Sequence, residues 1–381
     1  MEMRQPINPL GLFYLLPLKL MLEILYRLAV KSLLTLKCVC KPLNSIISDP
    51  KFAKDHFRLS KTRHYHLLIC PWDFRNEKGF VLFDSQLPSV LNNTTSTITE
   101  TMLNFPLNPC GTFRVFIAAS CDGIICFETR CVNDNHGNLV FWNIFTRKFK
   151  ILPPLENLPY SSFDVVYSIG YDYFTDSYKV VAISFKQIDN SCETEVRVLT
   201  LGTNSWSTIP CLPSQLLMGE LEVSPGKFVS GTINWVILDK KNNNSWVILS
   251  LDLEKEYYQE ISQPDYGLDE PLLEFHLEVS RDCLCILAQT KTFMGVWVMK
   301  NYGNKDSWTK LFNISFATEF GHADSINQFY IFEEDDQLIL NFFDQVYVYN
   351  YKNHTTKTPN IQCLLSTSFI SNVYVESLIS P

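Results

Sequence analysis

Twelve cysteines and seven histidines are the side chains best suited to metal or nucleophile chemistry in this 381-residue chain, and their spacing limits what they can do. Cys38 and Cys40 are two apart, as are Cys283 and Cys285, while Cys121, Cys126 and Cys131 follow at steps of five. None forms a C-x-x-C with a second ligand pair, so a tetrahedral zinc site has no frame. Scattered thiols of this kind read as small buried hydrophobes in a reducing compartment. His64 and His66 would share one face of a strand but lack a third ligand nearby, which leaves a surface or packing role. The acidic run Glu333-Glu334-Asp335-Asp336 lacks the alternating ligand spacing of a calcium loop and reads as a solvated hairpin turn. Trp206, Tyr258 and Trp308 could stack on a sugar, yet their regular recurrence makes them packing residues first. No G-x-x-x-x-G-K, G-x-G-x-x-G, G-x-S-x-G or H-E-x-x-H is present. No catalytic constellation assembles, and neither a cofactor nor a metal is expected.

The elements that carry these residues fall into two textures. Residues 1–60 hold nine Lys/Arg against four Asp/Glu, a balance of +5 within a net charge of −8, so the remainder carries −13. An acidic body argues against nucleic acid as the main partner, and the basic head suggests an acidic one. Aromatic residues are abundant, with 27 Phe, 17 Tyr and 7 Trp, which favours a β-rich body. The apolar stretch Gly11 to Leu36 is interrupted by Lys19, Glu23, Arg27 and Lys31, so no charge-free run reaches the roughly 20 residues of a membrane-spanning helix. Neither a basic start nor an A-x-A cleavage site marks a signal peptide. The expected location is cytosolic or nuclear.

No glycine occurs between Gly11 and Gly79, and the early prolines stand where helices begin. Pro17 suits a first helical position, after which Leu18, Met21, Leu22 and Leu25 follow helical spacing. A second helix is expected over Lys31–Lys41, a third opening at Pro42, and a fourth from the Asp49-Pro50 cap through Phe57. So small a module, with Leu and Val on several faces, either completes its core against a partner or packs on the β domain. The pattern alone leaves both open.

From residue 63 the texture changes to short apolar runs between Gly, Asn, Asp and Pro. Five strand–turn–strand units recur: Val140–Pro153, Val198–Pro210, Leu249–Ile261, Val296–Leu311 and Val346–Lys357. Their marker aromatics Phe149, Trp206, Tyr258 and Trp308 are 57, 52 and 50 residues apart, close to the roughly 50-residue period of kelch-type blades. Tyr167–Asp172 with Tyr178–Ile183, Lys227–Val229 with Ile233–Val236, and Leu277–Val279 with Leu284–Leu287 supply further strands. Four short strands per repeat closing in a ring make a propeller, with a two-sheet sandwich as the competitor. The fold class is α+β: a small N-terminal helical module over 13–58, then an all-β, propeller-like domain over 63–377.

The run Leu16-Pro17, Met21–Leu25, Arg27–Leu34, Lys37–Lys41, Asn44–Pro50 and Phe52 closely resembles the F-box of the large plant F-box family. The β half resembles the family's F-box-associated, kelch-like region at Ser120–Cys126, Trp142-Asn143, Thr146–Phe149, Gly170–Asp172, Asp176–Val181, Val229–Trp235 and Tyr374–Leu378. The resemblance implies a Skp-type adaptor and, through it, a cullin as partners. It implies adaptor contacts at Leu16, Pro17, Ile24, Leu25, Leu28, Val30, Leu33, Leu34, Val39 and Cys40. Three positions depart from the family: Leu18-Lys19 replace an acidic residue, Ala29 a proline, and Leu43 a tryptophan. Losing the proline loosens the turn by roughly 0.5–1 kcal/mol, so a weaker adaptor grip is expected.

The resemblance thus implies a substrate-receptor subunit of an SCF-type ubiquitin ligase, itself non-catalytic, whose β domain recruits an unidentified target protein for ubiquitination and degradation. Gly123 and Gly231 suit hairpin turns. Pro71 to Arg114, the least repeat-like stretch, is offered as part of the target surface. A propeller glycosidase with a helical cap would instead need carboxylates converging at the propeller mouth, and a glycan-binding receptor arm is the other alternative.

Overall fold

The computed structural model describes residues 16–60, 64–71, 81–92, 101–107, 113–131, 137–155, 165–188, 191–212, 216–217, 225–239, 245–267, 271–315, 326, 328–332, 336–342, 345–360 and 369–381. Four short helices come first: α1 (Leu18–Leu25), α2 (Val30–Leu36), α3 (Lys41–Ser48) and α4 (Pro50–Leu59). Pro17 stands one place before its expected position, as the cap of α1. Asp49 caps α4 as its type demands, accepting from the Lys51 amide at 2.8 Å with Pro50 at the first position. The second helix is shorter than expected. It tightens after Leu36 into i→i−3 bonds from Cys38 to Thr35 and from Val39 to Leu36, and extended Cys40 then starts α3, with Pro42 in its first turn.

The β domain is a six-bladed propeller. The first blade holds β1 (Tyr65–Pro71), β2 (Val81–Gln86) and β3 (Thr101–Asn104), with helix α5 (Leu87–Asn92) between the last two. The second comprises β4 (Phe113–Cys121), β5 (Ile124–Cys131), β6 (Gly137–Asn143) and β7 (Lys148–Ile151). The third comprises β8 (Val165–Asp172), β9 (Ser177–Ile188), β10 (Ser191–Thr200) and β11 (Ser207–Ile209). In the fourth, β12 (Leu216–Leu217) and β13 (Lys227–Val229) share one edge of β14 (Thr232–Asp239), followed by β15 (Ser245–Asp252) and β16 (Tyr257–Ile261). The fifth contains β17 (Glu274–Ser280), β18 (Cys283–Gln289), β19 (Phe293–Met299) and β20 (Trp308–Ser315). The sixth contains β21 (Gln328–Phe332), β22 (Gln337–Asn341), β23 (Val346–Asn350) and β24 (Thr355–Lys357). The ring closes when β25 (Phe369–Val375) pairs antiparallel with β1, from Tyr65↔Val375 to Pro71↔Phe369, and becomes the innermost strand of the first blade.

The recurrent units are therefore the two outer strands of blades two to six, and the marker aromatics latch blades together. Trp206 Nε1 donates to the Pro153 carbonyl at 3.1 Å, Tyr258 OH to Pro210 at 3.0 Å and Trp308 Nε1 to Ser262 at 2.9 Å. Each acceptor lies just beyond the outermost strand of the preceding blade. The turns before these strands repeat as well. An Asx side chain accepts backbone amides at Asn143, Asp252 and Asn350, and the residue four places on has positive φ: Arg147 at 56°, Glu256 at 51° and His354 at 55°.

One apolar cluster runs without a break from Leu25, Leu33, Ile47 and Phe52 of the helices into Leu378 and Ile379 and on into blades two and three. The helical module thus shares its core with the propeller, as a module too small to bury enough surface alone must.

Candidate functional site

The residues expected to meet an adaptor divide three ways. Pro17, Ile24 and Val39 are exposed, the latter two by 43% and 47%. Leu16, Leu28, Leu34 and Cys40 are half-buried. Leu25, Val30 and Leu33 are buried in the core shared with the propeller, so they hold the helices together rather than present a surface. Leu18 and Leu20, 59% and 46% exposed, are surface residues that pattern reading had not separated from the core face. Pro17, Leu20 and Ile24 follow at three and four residues, which sets them in one stripe on α1. Leu43, at the family's tryptophan position, is buried.

The module's seat on the propeller is built from α4 and the C-terminal tail. Lys54 Nζ pairs with Asp176 Oδ2 at 2.7 Å, and the Arg58 guanidinium lies 5.8 Å and 6.0 Å from the ring centres of Tyr171 and Tyr173. Inside the module His56 Nε2 donates to the Leu28 carbonyl at 2.9 Å, and burial lowers its pKa, favouring the neutral ring. The tail is gripped by fully buried Asn143, whose Nδ2 donates to the carbonyls of Ser377 and Ile379 at 3.0 Å and 2.7 Å.

An axial cavity of about 480 Å³ runs between the inner strands and is covered at one mouth by Lys54, Phe57 and Arg58 of α4. Asp122, Glu278 and Asp282 bring carboxylates to it, the feature a glycosidase would need. These carboxylates have structural partners. Lys227 Nζ holds Glu278 Oε2 at 2.6 Å, and Tyr178 OH donates to Asp122 Oδ2 at 2.9 Å.

His66 and His64 part company. His64 is exposed, whereas His66 is buried, with Nδ1 3.0 Å from Asp84 and Nε2 3.0 Å from Glu376. Burial opposes its charge, but the two carboxylates more than reverse this and push its pKa up to about 9. The packing role expected of it is thus an ionic one, tying β1 to β2 and to the residue after β25. Its partners lie 18 and 310 residues away, beyond the reach of local spacing. Burial pushes the Cys70 thiol up to about 12 and raises those of Cys121 and Cys126 as well, consistent with unreactive packing thiols. Among the described residues no three His, Cys, Asp or Glu side chains group to hold a metal, and no helix is long and apolar enough to cross a membrane. Of the acidic run, Glu333 to Asp335 lie outside the described residues. Asp336 follows at a φ of 52° and meets Lys352 at 3.2 Å. Much of Pro71 to Arg114 also lies outside them.

A propeller bearing a helical module with an exposed apolar stripe defines a modular interaction protein. Residues 13–55 match the F-box domain and residues 78–381 the F-box associated beta propeller domain. The chain belongs to this family of plant F-box proteins. It is 27% identical to an F-box/kelch-repeat protein of Arabidopsis thaliana over 96% of both chains. It is likewise 27% identical to the Arabidopsis thaliana F-box protein CPR1, over 78% of this chain and 73% of that one. Among solved structures, an oligogalacturonate lyase in complex with manganese overlays with a TM-score of 0.42 at 11% identity, covering 76% of this chain and 77% of that one. At that score the overlay bears on neither site nor function.

Proposed function

We propose that the protein is a non-catalytic substrate receptor of an SCF-type ubiquitin ligase. The stripe of Pro17, Leu20 and Ile24 docks a Skp-type adaptor and, through it, a cullin. The propeller holds a target protein for ubiquitination and degradation. One observation carries the reading: the helices already bury their inner face on the propeller, yet Leu18, Leu20, Ile24 and Val39 stay 43–59% exposed. Apolar surface left over after the intramolecular interface is complete is the signature of a partner site. The basic balance of the head favours an acidic adaptor, and a cytosolic or nuclear location suits the reduced thiols of Cys38, Cys40, Cys70, Cys121, Cys126 and Cys211. Since α4 covers one mouth of the axial cavity, the opposite face is the one open to the target.

Co-expression with a plant Skp-type adaptor tests this. The double variant Leu20→Glu/Ile24→Glu should lose co-elution while its thermal unfolding stays that of the parent. Charging Leu33 would be uninformative, because that side chain is fully buried. Undiminished co-elution of the double variant would refute the docking surface.

A further inference from the structure

Phe149 is the marker aromatic that latches nothing. Trp206, Tyr258 and Trp308 each bond to the preceding blade, whereas a phenyl ring has no donor, and Phe149 stays 45% exposed. Two places on, β7 departs from its counterparts again. Thr208 of β11, Glu260 of β16 and Lys310 of β20 fill that position with exposed polar side chains, but β7 has Ile151, 47% exposed. Phe149 lies opposite Trp142 and Ile151 opposite Val140, so the two project from one face of the strand. β7 is also the outermost strand of its blade. One step beyond the Val140↔Ile151 pair, the Leu152 amide donates to the Leu139 carbonyl at 2.9 Å. Lys148, Lys150 and Leu152 therefore turn their main chain toward β6, and the amides and carbonyls of Phe149 and Ile151 point away from the blade. Among the described residues no hydrogen bond takes them. This free edge ends at Pro153, whose carbonyl is held by Trp206. Arg147, in the turn before the strand, and Lys150, on its other face, form no ion pair with a described carboxylate. Lys148 is engaged by Ser380 Oγ and takes no part.

We propose that the outer edge of β7 docks a short extended segment of another protein, one in which apolar residues alternate with Asp or Glu. The segment adds as a further strand to blade two. Its main chain pairs with the free groups of Phe149 and Ile151, and its apolar side chains lie beside theirs across the strand pair. Its carboxylates fall on the opposite face, where Lys150 and Arg147 supply the countercharge. A lysine on an edge strand ordinarily deters pairing; against an acidic strand the same charge selects the partner. It also disfavours a second copy of this chain, because two β7 edges would set like charges side by side. Main-chain pairing through two residues suits a linear segment rather than a folded domain. The surface shares no residue with the α1 stripe, so it stands whether or not an adaptor docks there.

An alternating Val-Glu octapeptide carrying fluorescein at its N-terminus, titrated with the full chain and read by anisotropy, tests the edge. It should bind, weaken as salt is added, and bind at least about tenfold more tightly than its Val-Lys analogue. The valine amides are the ones that would pair with Phe149 and Ile151, so methylating them should abolish binding. The double variant Phe149→Ser/Ile151→Thr should weaken binding by about tenfold or more without moving the unfolding midpoint, since both side chains are exposed. Ile151→Pro removes an amide that β6 does not use, and should weaken binding through the lost main-chain bond alone. Tyr257→Ser, on the exposed part of β16, should leave binding unchanged. No binding of the Val-Glu peptide, equal binding of the methylated or Val-Lys peptide, or undiminished binding by both β7 variants would overturn the proposal.

Discussion

The side chain of Asn143, at the end of β6, donates to the main-chain carbonyl of Ile379 at 2.7 Å across 236 residues of sequence. It also reaches Ser377, while its own Oδ1 accepts the Thr146 amide at 3.0 Å. One buried amide therefore shapes the turn before β7 and fixes the tail that carries Leu378 and Ile379 into the helical core. Truncation by Asn143→Ala leaves buried carbonyls unpaired and should cost about 2–4 kcal/mol, read from the urea midpoint. Asn143→Asp, which turns an acceptor toward two carbonyls, should be worse still. Amide exchange at 376–379 should speed up in both. An aspartate variant as stable as the alanine one would show that the donated bonds do not hold the tail.

His66 links stability to pH. Its pKa is about 9 in the folded protein against 6.5 for the free side chain, so the folded state binds the proton more tightly. The stabilisation is therefore complete below about pH 6.5 and disappears as pH rises through 9. At the upper limit the shift corresponds to roughly 3 kcal/mol. Chemical unfolding at steps between pH 6 and 10 should show the parent losing stability toward the alkaline end, with His66→Gln losing much less. Parallel curves for the two proteins would rule the ionic tie out.

Glycine is required at the β4–β5 turn for two reasons that can be separated. Gly123 has a φ of 80°, and a Cβ there would lie 2.5 Å from the Val375 carbonyl and 2.6 Å from Ser377 Oγ. Gly303 has the same φ of 80° with nothing within 4 Å. Gly303→Ala should thus cost only the conformational strain of roughly 1 kcal/mol. Gly123→Ala adds a clash with the closing strand and should lower the melting midpoint considerably more. Equal costs would mean that the tail yields without penalty.

Local order was legible in the sequence and long-range closure was not. The outer strand pairs, the four helices, and the turns at Gly123 and Gly231 follow from alternation, caps and turn chemistry acting over a few residues. The roughly 50-residue recurrence of Trp206, Tyr258 and Trp308 revealed the repeat but not that each ring bonds to the preceding blade. The first blade was hidden because its inner strand comes from the opposite end of the domain, and β25 carries no mark of its pairing with β1. The same distance separates His66 from Glu376. Within the helices Leu20 and Leu25 are chemically alike, and only the position of the propeller decides which is surface and which is core.

Ala29 offers a test of how the helical module is stabilised. It precedes α2 with φ −63° and ψ 149°, a conformation that a proline ring already imposes. Its amide makes no hydrogen bond among the described contacts, so a ring there sacrifices no donor. Ala29→Pro should therefore stabilise by about 0.4–1 kcal/mol, chiefly by restricting the unfolded chain. The module shares its core with blades two and three, so the gain should appear as a shift of one cooperative transition rather than as a separate helical melt. Differential scanning calorimetry distinguishes these outcomes. A destabilised variant would indicate that the ring meets an obstacle at Leu28, and a split transition would show that the shared core does not couple the two domains.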